Sequence, residues 1–223
     1  MVKTKKHAAE IIGGLSSPSK LPCKAWGISA EKCQTGAKLA KLDNTPCSQC
    51  YALQGSYKMY PAIPIAHAKR LEAISDPLWV EAMVKLIQGN SHFRWFDSGD
   101  LQSVSHLEKI AEIARQTPET LHWLPTQERA YVKACGQLPK NLVVRLSQTV
   151  IDNAPVPGAK LSSMVSTGGK LPAHVFDCPS RFQDNACGDC RACWDRSVES
   201  VAYHSHGHKI NKKELITIKK KAA

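Results

Sequence analysis

Four cysteines near the carboxyl end are spaced in a way that suits an iron–sulfur cluster. Cys187, Cys190 and Cys193 follow one another at steps of three residues, and Cys178 precedes them beside Pro179. Such steps let one loop bind several corners of a cube, whereas zinc sites usually pair two C-x2-C units from separate segments. The spacing therefore favours a 4Fe–4S cluster on these four cysteines, with zinc or free thiols as the alternatives.

Four more cysteines lie in the first 50 residues and form a looser set. Cys23, Cys33, Cys47 and Cys50 contain only one closely spaced pair. They could bind a second metal, which could be zinc, or Cys47 and Cys50 could share the other cluster, or some could be structural thiols, since buried free cysteine is a common core residue. The ninth cysteine, Cys135, is expected in the apolar face of a helix.

Between the two cysteine sets the sequence alternates between strand-like and helix-like segments. Strands joined through helices pair in parallel with right-handed crossovers. A complete eight-stranded barrel usually takes about 250 residues. The 223 residues therefore favour a compact or partly open TIM-like (β/α) barrel, with a doubly wound open sheet as the alternative. The predicted strands are 92–100, 121–127, 141–148, 161–167 and 174–180, and the predicted helices are two within 67–88, one at 103–116 and one at about 128–135.

The whole chain, 1–223, is expected to form a single α/β domain with cysteine-rich metal-binding segments at both ends. Its composition, 43% hydrophobic, is sufficient for a sizeable core. The parts are a cysteine-rich segment at 20–60, a β/α core at 61–177, a cysteine-cluster segment at 178–208 and a basic tail at 209–223.

Polar residues gather where the predicted strands end. Asp97 and Asp100 lie in the polar end of the first of these strands, Gln127 and Glu128 lie at the end of the second, and Arg145 lies near the end of the third. The carboxyl ends of parallel strands form the ligand-binding face of α/β folds. We therefore expect these five side chains to line a pocket there, although loops after strands are commonly polar for reasons of solvation alone.

The positive charge is concentrated at the two ends of the chain. Thirty lysines and arginines against 19 acidic residues give a net charge of +11, and most of this excess lies in 1–6 and 209–223. This pattern predicts phosphate contacts with DNA or RNA, made chiefly by Lys209, Lys212 and Lys213. No apolar run is long enough for a membrane span, and no signal-peptide core is evident, so a soluble, cytoplasmic protein is expected.

Several sequence motifs together resemble the bacteriophage "gene product eighty-eight" family. The match spans about residues 20 to 206 and is distinctive in its combination of motifs. The motifs are LPCKAWGISAEKC (21–33), GAKLAK (36–41), CSQCYALQGSY (47–57), RWFDSGDLQS (94–103), HWLPTQER (122–129), NLVVRLS (141–147) and CGDCRACW (187–194).

The resemblance implies a phage-encoded iron–sulfur protein of compact, TIM-barrel-like build in the host cytoplasm. That family is similar to radical S-adenosylmethionine enzymes in its barrel-like core and cysteine clusters. Their usual C-x3-C-x2-C signature is missing here, because Asp43 stands where Cys47 and Cys50 would need a third cysteine. The expected function is therefore nucleic-acid binding or electron transfer by a 4Fe–4S protein. The alternative is a redox or radical-type enzyme with its pocket at the strand ends.

Nucleic-acid binding through the basic ends makes a prediction about salt. Deleting 1–6 and 209–223 should remove most of the salt-dependent affinity for DNA or RNA, because each phosphate contact adds about one unit to the log–log salt slope. Fluorescence anisotropy at several salt concentrations measures the slope. If the full chain binds neither nucleic acid at low salt, the prediction is wrong.

Overall fold

The computed structural model describes residues 1–205, which contain a parallel sheet, seven α-helices and four short 3₁₀ turns. The strands are β1 (Lys24–Trp26), β2 (His92–Trp95), β3 (Leu121–Thr126), β4 (Leu142–Ser147), β5 (Ser162–Ser166), β6 (Val175–Asp177) and β7 (Ser200–His204). The helices are α1 (Lys5–Ile12), α2 (Thr35–Leu39), α3 (Ser56–Met59), α4 (Ala62–Ala73), α5 (Trp79–Ile87), α6 (Val104–Gln116) and α7 (Arg129–Ala134). The 3₁₀ turns are Ala30–Lys32, Tyr51–Leu53, Pro179–Phe182 and Ala192–Trp194.

All seven strands are parallel and form one open sheet in the order β1-β2-β3-β4-β5-β7-β6. The first five strands lie side by side in chain order, as successive strands of a (β/α) barrel do, whereas a doubly wound sheet reverses its order part-way. β1 and β6 remain at opposite edges of the sheet. The sequence prediction of an α/β fold with parallel strands is confirmed, and the sheet is not closed.

Helices α1, α4, α5 and α6 cover one face of the sheet. At the centre of this core, the ring centroids of Trp26 and Trp79 lie 5.4 Å apart and those of Trp26 and Trp95 lie 6.2 Å apart, both edge to face. α6 begins at Ser103, whose hydroxyl accepts a hydrogen bond from the His106 amide as an N-cap. The helices therefore hold β1, β2 and β3 rigidly from one side, which fixes where their carboxyl ends point.

The opposite face of the sheet is covered by the cysteine-rich loop at 187–199. Trp194 packs edge to face against Trp123 of β3 at 5.2 Å, and its indole donates to the carbonyl of Phe93 in β2. Fully buried Arg145 of β4 donates to the carbonyls of Ala192 and Asp195 at 2.8 Å. Its other hydrogen bonds go to the carbonyls of Ser162, Cys193, Val198 and Glu199. One guanidinium thus fastens the cysteine loop to the sheet.

Replacing Arg145 should loosen this loop. Arg145→Met keeps much of the volume but leaves several buried carbonyls unpaired, so we expect the free energy of unfolding to fall by about 3 kcal/mol or more. Arg145→Lys should recover only part of the loss, because an ammonium cannot reach so many acceptors at once.

The control is Arg115→Met, which removes an exposed ion pair with Glu112 and should cost less than about 1 kcal/mol. Urea denaturation compares the three variants. Equal midpoints for Arg145→Met and Arg115→Met would contradict the fastening role.

Candidate metal centres at two cysteine groups

Residues 33–57, which we call the capping segment, lie over the carboxyl edge of the sheet. The main fastening is at Glu128, directly after β3, whose buried carboxylate accepts hydrogen bonds from the Thr35 amide at 2.8 Å and the Thr35 hydroxyl at 2.7 Å. Glu128 is itself held by its amide, which donates to Thr126. Because Thr35 follows Cys33 by two residues, this carboxylate determines where Cys33 lies.

Further contacts fasten the capping segment along the strand ends. The Tyr51 and Tyr57 hydroxyls donate to the Asp97 carbonyl after β2, at 2.7 and 3.2 Å. Two contacts further along the edge are from the Ile151 amide to the Asn44 carbonyl and from the Ser205 hydroxyl to Gln49. The segment therefore reaches from β2 to β7, and its cysteines lie at the edge where parallel α/β proteins bind ligands.

Cys33, Cys47 and Cys50 converge within the capping segment and are called the edge group below. A Cβ placed on Gly36 would stand 3.6 Å from the sulfur of Cys33 and 3.6 Å from that of Cys47. It would also stand only 2.9 Å from the Cys33 Cβ, so glycine is needed for this close approach. The structure thus brings together three of the four early cysteines that the sequence indicated.

The edge group has an acidic environment. Burial is the main cause that raises the pKa of Cys47 to about 12, and the neighbouring Cys50, Asp100 and Glu128 contribute to the same rise. Burial and the same carboxylates also raise the pKa of Cys33. Cys33 and Cys47 are therefore protonated at neutral pH in the absence of a cation. Turning them into thiolates beside two carboxylates requires a positively charged partner.

Asp100 lies deep in the same region. Its carboxylate accepts hydrogen bonds from the Thr126 hydroxyl and from the amides of Leu101 and Gln127. Burial, with a smaller contribution from Glu128, raises the pKa of Asp100 to about 7. The hydrogen bonds act in the opposite direction and lower it. Asp100 can therefore exchange a proton near neutral pH, as a general acid or base must.

The loop after β2 is tightly folded around these carboxylates. Phe96 has φ 54°, an unusual value for a bulky residue, and Gly99 has φ 81° with Ile28 packed against its Cα. Strained backbone of this kind concentrates at functional sites. It leaves Asp97 buried with Oδ1 lacking a hydrogen-bond partner in the described part of the chain, and the same holds for Oε1 of Gln127. Two buried acceptors are thus left free at the strand ends.

The second cysteine group lies against the opposite face of the sheet and contains five thiols. Cys178, Cys190 and Cys193 pack around Trp123 and Trp194. Cys23 packs in the same cluster, and the amide of Cys187 donates to the carbonyl of Lys20, which joins the two segments. We call Cys23, Cys178, Cys187, Cys190 and Cys193 the face group. The expected grouping of Cys23 with the other early cysteines therefore differs from where the structure places it.

The face group has a cationic environment. Burial raises the pKa of Cys23 to about 11, while the guanidinium groups of Arg94 and Arg191 lower it. Burial likewise raises the pKa of Cys193 to about 12, opposed by the Tyr203 hydroxyl and by Arg145 and Arg94. These cations favour thiolates, in contrast to the carboxylates beside the edge group.

Two buried hydrogen-bond donors beside the face group have no partner among residues 1–205. They are the indole N–H of Trp123, a side chain only 4% exposed, and the Nε–H of Arg94. The Arg94 guanidinium stacks on the Trp123 ring, with its central carbon 4.5 Å from the centroid. A buried donor without an acceptor is costly, so these two donors would suit an acceptor that lies outside residues 1–205.

The remaining predicted site residues have other positions. Arg145 binds carbonyls of the cysteine loop and a neighbouring strand, whereas Asp100, Gln127 and Glu128 gather around the carboxyl end of β3. Cys135 follows α7 and packs against the helical core, as expected. The nucleic-acid-binding prediction for Lys209, Lys212 and Lys213 lies outside the described residues. Within residues 1–205, no three or more His, Cys, Asp or Glu side chains form a group that could hold a metal ion.

Sequence reasoning did not find every residue that the structure places at these sites. Thr35 and Gly36 position Cys33, but Thr35 lies in none of the motifs and Gly36 was noted only as the first residue of GAKLAK. Arg94 and Trp123 lie within two predicted strands, and their contact depends on the pairing of β2 with β3. The alignment of β2 with β3 is the feature that could have shown that Arg94 and Trp123 lie side by side.

Fold and site together define the class: an open parallel α/β protein with cysteine-rich segments over its carboxyl edge and one sheet face. The chain belongs to the Gene product 88 family, a family of phage gene products, whose model matches residues 2–196. The family resemblance expected from the motifs is confirmed. No curated protein and no solved structure matches the chain. Among the described residues, no helix has the length and apolar character needed to cross a membrane.

The geometry of the edge group can be tested in metal-free protein with dibromobimane, a reagent that becomes fluorescent when it joins two nearby thiols. We expect a product that links Cys33 to Cys47, identified by peptide mass analysis. Gly36→Ala should lower its yield, because the new Cβ displaces Cys33. Stability should change by no more than about 1 kcal/mol, since alanine favours the helix.

The matched control is Gly136→Ala, whose new Cβ meets nothing within 4 Å. This variant should give the wild-type yield. If wild-type protein forms no Cys33–Cys47 product, the edge group is not arranged as described.

Proposed function

We propose that this protein is an iron–sulfur enzyme whose edge group binds a 4Fe–4S cluster at the carboxyl edge of the sheet. The reaction would be of redox or radical type, on a substrate bound beside that cluster. The observation that carries the proposal is the convergence of three thiols with Asp100 and Glu128 at the edge where parallel α/β enzymes place their chemistry.

The chemistry of the edge group fits such a cluster. Three thiolates next to two carboxylates repel one another, and the iron ions supply the positive charge that stabilises them. A cluster is bound at its corners, so it requires less convergence of the sulfur atoms than one zinc ion, which holds each of its sulfur ligands at about 2.3 Å. Three cysteines for four irons leave one iron open to a ligand that is not part of the chain. When bound, the cluster supplies one-electron transfer and an open coordination position.

The surrounding residues have separate roles in this proposal. Glu128 holds Thr35 and thereby fixes Cys33. The free acceptors on Asp97 and Gln127 bind donor groups of the substrate. The capping segment covers part of the site and leaves its three thiols half-buried, and this partial burial strengthens the electrostatic contacts within the site. Asp100, whose pKa is about 7, holds or releases a proton.

The face group suits a second cluster. Four of its cysteines would close the coordination of all four irons, which is typical of clusters that transfer electrons or stabilise structure. Cys178, Cys187, Cys190 and Cys193 are the set that the sequence spacing favours, with Cys23 as a fifth thiol nearby. The unpartnered donors of Trp123 and Arg94 would then meet the sulfur atoms of the cluster as acceptors.

Nucleic-acid binding is a less supported alternative. It depends on Lys209, Lys212 and Lys213, which lie outside the described residues, and no contact of the described residues favours it over the enzyme. The salt-dependence measurement described above tests it independently.

The experiment is to purify the protein without oxygen and to quantify iron, sulfide and zinc. About eight irons per chain are expected, four for each cluster. Substituting Cys33, Cys47 and Cys50 together with serine should remove about half, and Cys187→Ser with Cys190→Ser should remove the other half. Cys135→Ser is the control and should retain all the iron.

Two results would overturn the proposal. One is a colourless protein that contains zinc and no sulfide. The other is an edge-group variant that folds and keeps the full wild-type iron content, since the edge group would then bind none of it.

A further inference from the structure

A line of packed side chains begins at the face group. The sulfur of Cys193 lies 3.3 Å from the hydroxyl of Tyr203 in β7. The Tyr203 ring lies 6.1 Å, centroid to centroid, from the ring of Trp123. Trp123 in turn lies under the Arg94 guanidinium at 4.5 Å. The contact is imposed by strand register, since Arg94 of β2 is paired with Trp123 of β3.

The same line continues to the edge group. Nη2 of Arg94 donates to the hydroxyl of Tyr51 at 3.4 Å, and Tyr51 directly follows Cys50 in the chain. The Tyr51 hydroxyl also donates to the Asp97 carbonyl, which fixes its position at the edge of the sheet. Four side chains therefore connect a cysteine of one group to a cysteine of the other without a break in packing.

The charge of Arg94 reaches both ends of this line. Its guanidinium acts on the thiols of Cys23, Cys187 and Cys193 in the face group. It also lies near Asp97 at the carboxyl edge. A buried cation stabilises whichever neighbouring group carries the greater negative charge, and a cluster gains one negative charge when it is reduced. Arg94 therefore favours electron occupancy next to it.

We infer that Tyr203, Trp123, Arg94 and Tyr51 form the electron-transfer route between the two cysteine groups, with Arg94 stabilising the reduced state of the face-group cluster. The inference rests on the proposed function, since it requires a cluster at each group. With a cluster held at each group, one electron would pass along these four side chains, so that the face-group cluster would be oxidised and the edge-group cluster reduced. No bond changes and no proton moves. The electron comes from a low-potential one-electron donor protein, replaced in the test by dithionite.

Packed atoms are the physical reason for choosing this route. Electron tunnelling weakens steeply with distance and more steeply across gaps than through atoms in contact. Aromatic rings and a guanidinium at contact distance give a continuous path along one face of the sheet to its carboxyl edge. Burial of Trp123 keeps water out of the middle of that path.

The first test uses the wild-type protein, reduced fully with dithionite and measured by electron paramagnetic resonance. Two reduced clusters joined by this short route should broaden each other's signals. Cys187→Ser with Cys190→Ser should abolish the broadening and leave the edge-group signal narrow. Two sharp, independent signals in a protein that carries both clusters would overturn the inference.

The second test measures the potential of each cluster in Arg94 variants. Arg94→Gln should lower the reduced-to-oxidised ratio of the face-group cluster about tenfold at a fixed solution potential, equivalent to about 59 mV for one electron. Arg94→Lys keeps the charge and should restore most of that ratio. Arg115→Gln, on the exposed side of α6, should leave it unchanged.

The outcomes separate this inference from the proposed function. If the edge-group variant loses no iron, the proposed function fails. If both clusters are present and Arg94→Gln leaves both potentials unchanged, the stabilising role of Arg94 is wrong while the proposed function stands. Should Arg94→Gln not fold, Trp123→Phe retains the ring while removing the unpartnered N–H, and the same loss of reduced face-group cluster is expected; an unchanged potential would count against the route.

Discussion

The contact between Glu128 and Thr35 is the interaction on which the arrangement at the carboxyl edge depends. A carboxylate at the end of a central strand accepts two hydrogen bonds from the first residue of α2, and it is buried where it does so. This contact fixes Cys33 relative to β3 together with the Gln34 side chain, which donates to the Gln102 carbonyl and accepts from the Tyr131 hydroxyl. The helices on the other face of the sheet hold the end of β3 rigid, so Glu128 fixes the position of the capping segment to which it is hydrogen-bonded.

The two cysteine groups differ in the charge that surrounds them. Carboxylates surround the edge group, and guanidinium groups surround the face group. Nearby carboxylates raise the pKa of a metal-free thiol, so its thiolate needs a cationic partner. Nearby guanidinium groups stabilise a cluster that carries net negative charge. In the proposed function, this difference in charge assigns the reactive cluster to the edge group and the electron-transferring cluster to the face group.

Local pattern was enough to predict much of the fold. The apolar runs that contain β2 to β6 and the helical spacing of α6 and α7 identified these elements, but the observed β2 and β6 are shorter than the predicted 92–100 and 174–180. β1 and β7 were missed because one has three residues and the other lies within a segment read as a cysteine loop. The position of β7 between β5 and β6 is a non-local pairing, which spacing along the chain does not encode.

The site residues, like the strands, were predicted where the evidence is local in the sequence and missed where it depends on contacts between distant segments. The spacing of Cys187, Cys190 and Cys193 is local and was visible in the sequence. The placement of Cys23 with them depends on how the chain before β1 meets the 187–199 loop. Arg145 was read as a pocket residue because it lies near a strand end, but its side chain points to the cysteine loop, since strand residues alternate between faces.

Diffraction from crystals of the anaerobically purified protein, recorded at the iron absorption edge, tests the central claim most directly. The account predicts two separate peaks of anomalous density, one enclosed by Cys33, Cys47 and Cys50 and the other by cysteines of the face group. A single peak at the face group, with the three edge-group thiols free of iron, would contradict it.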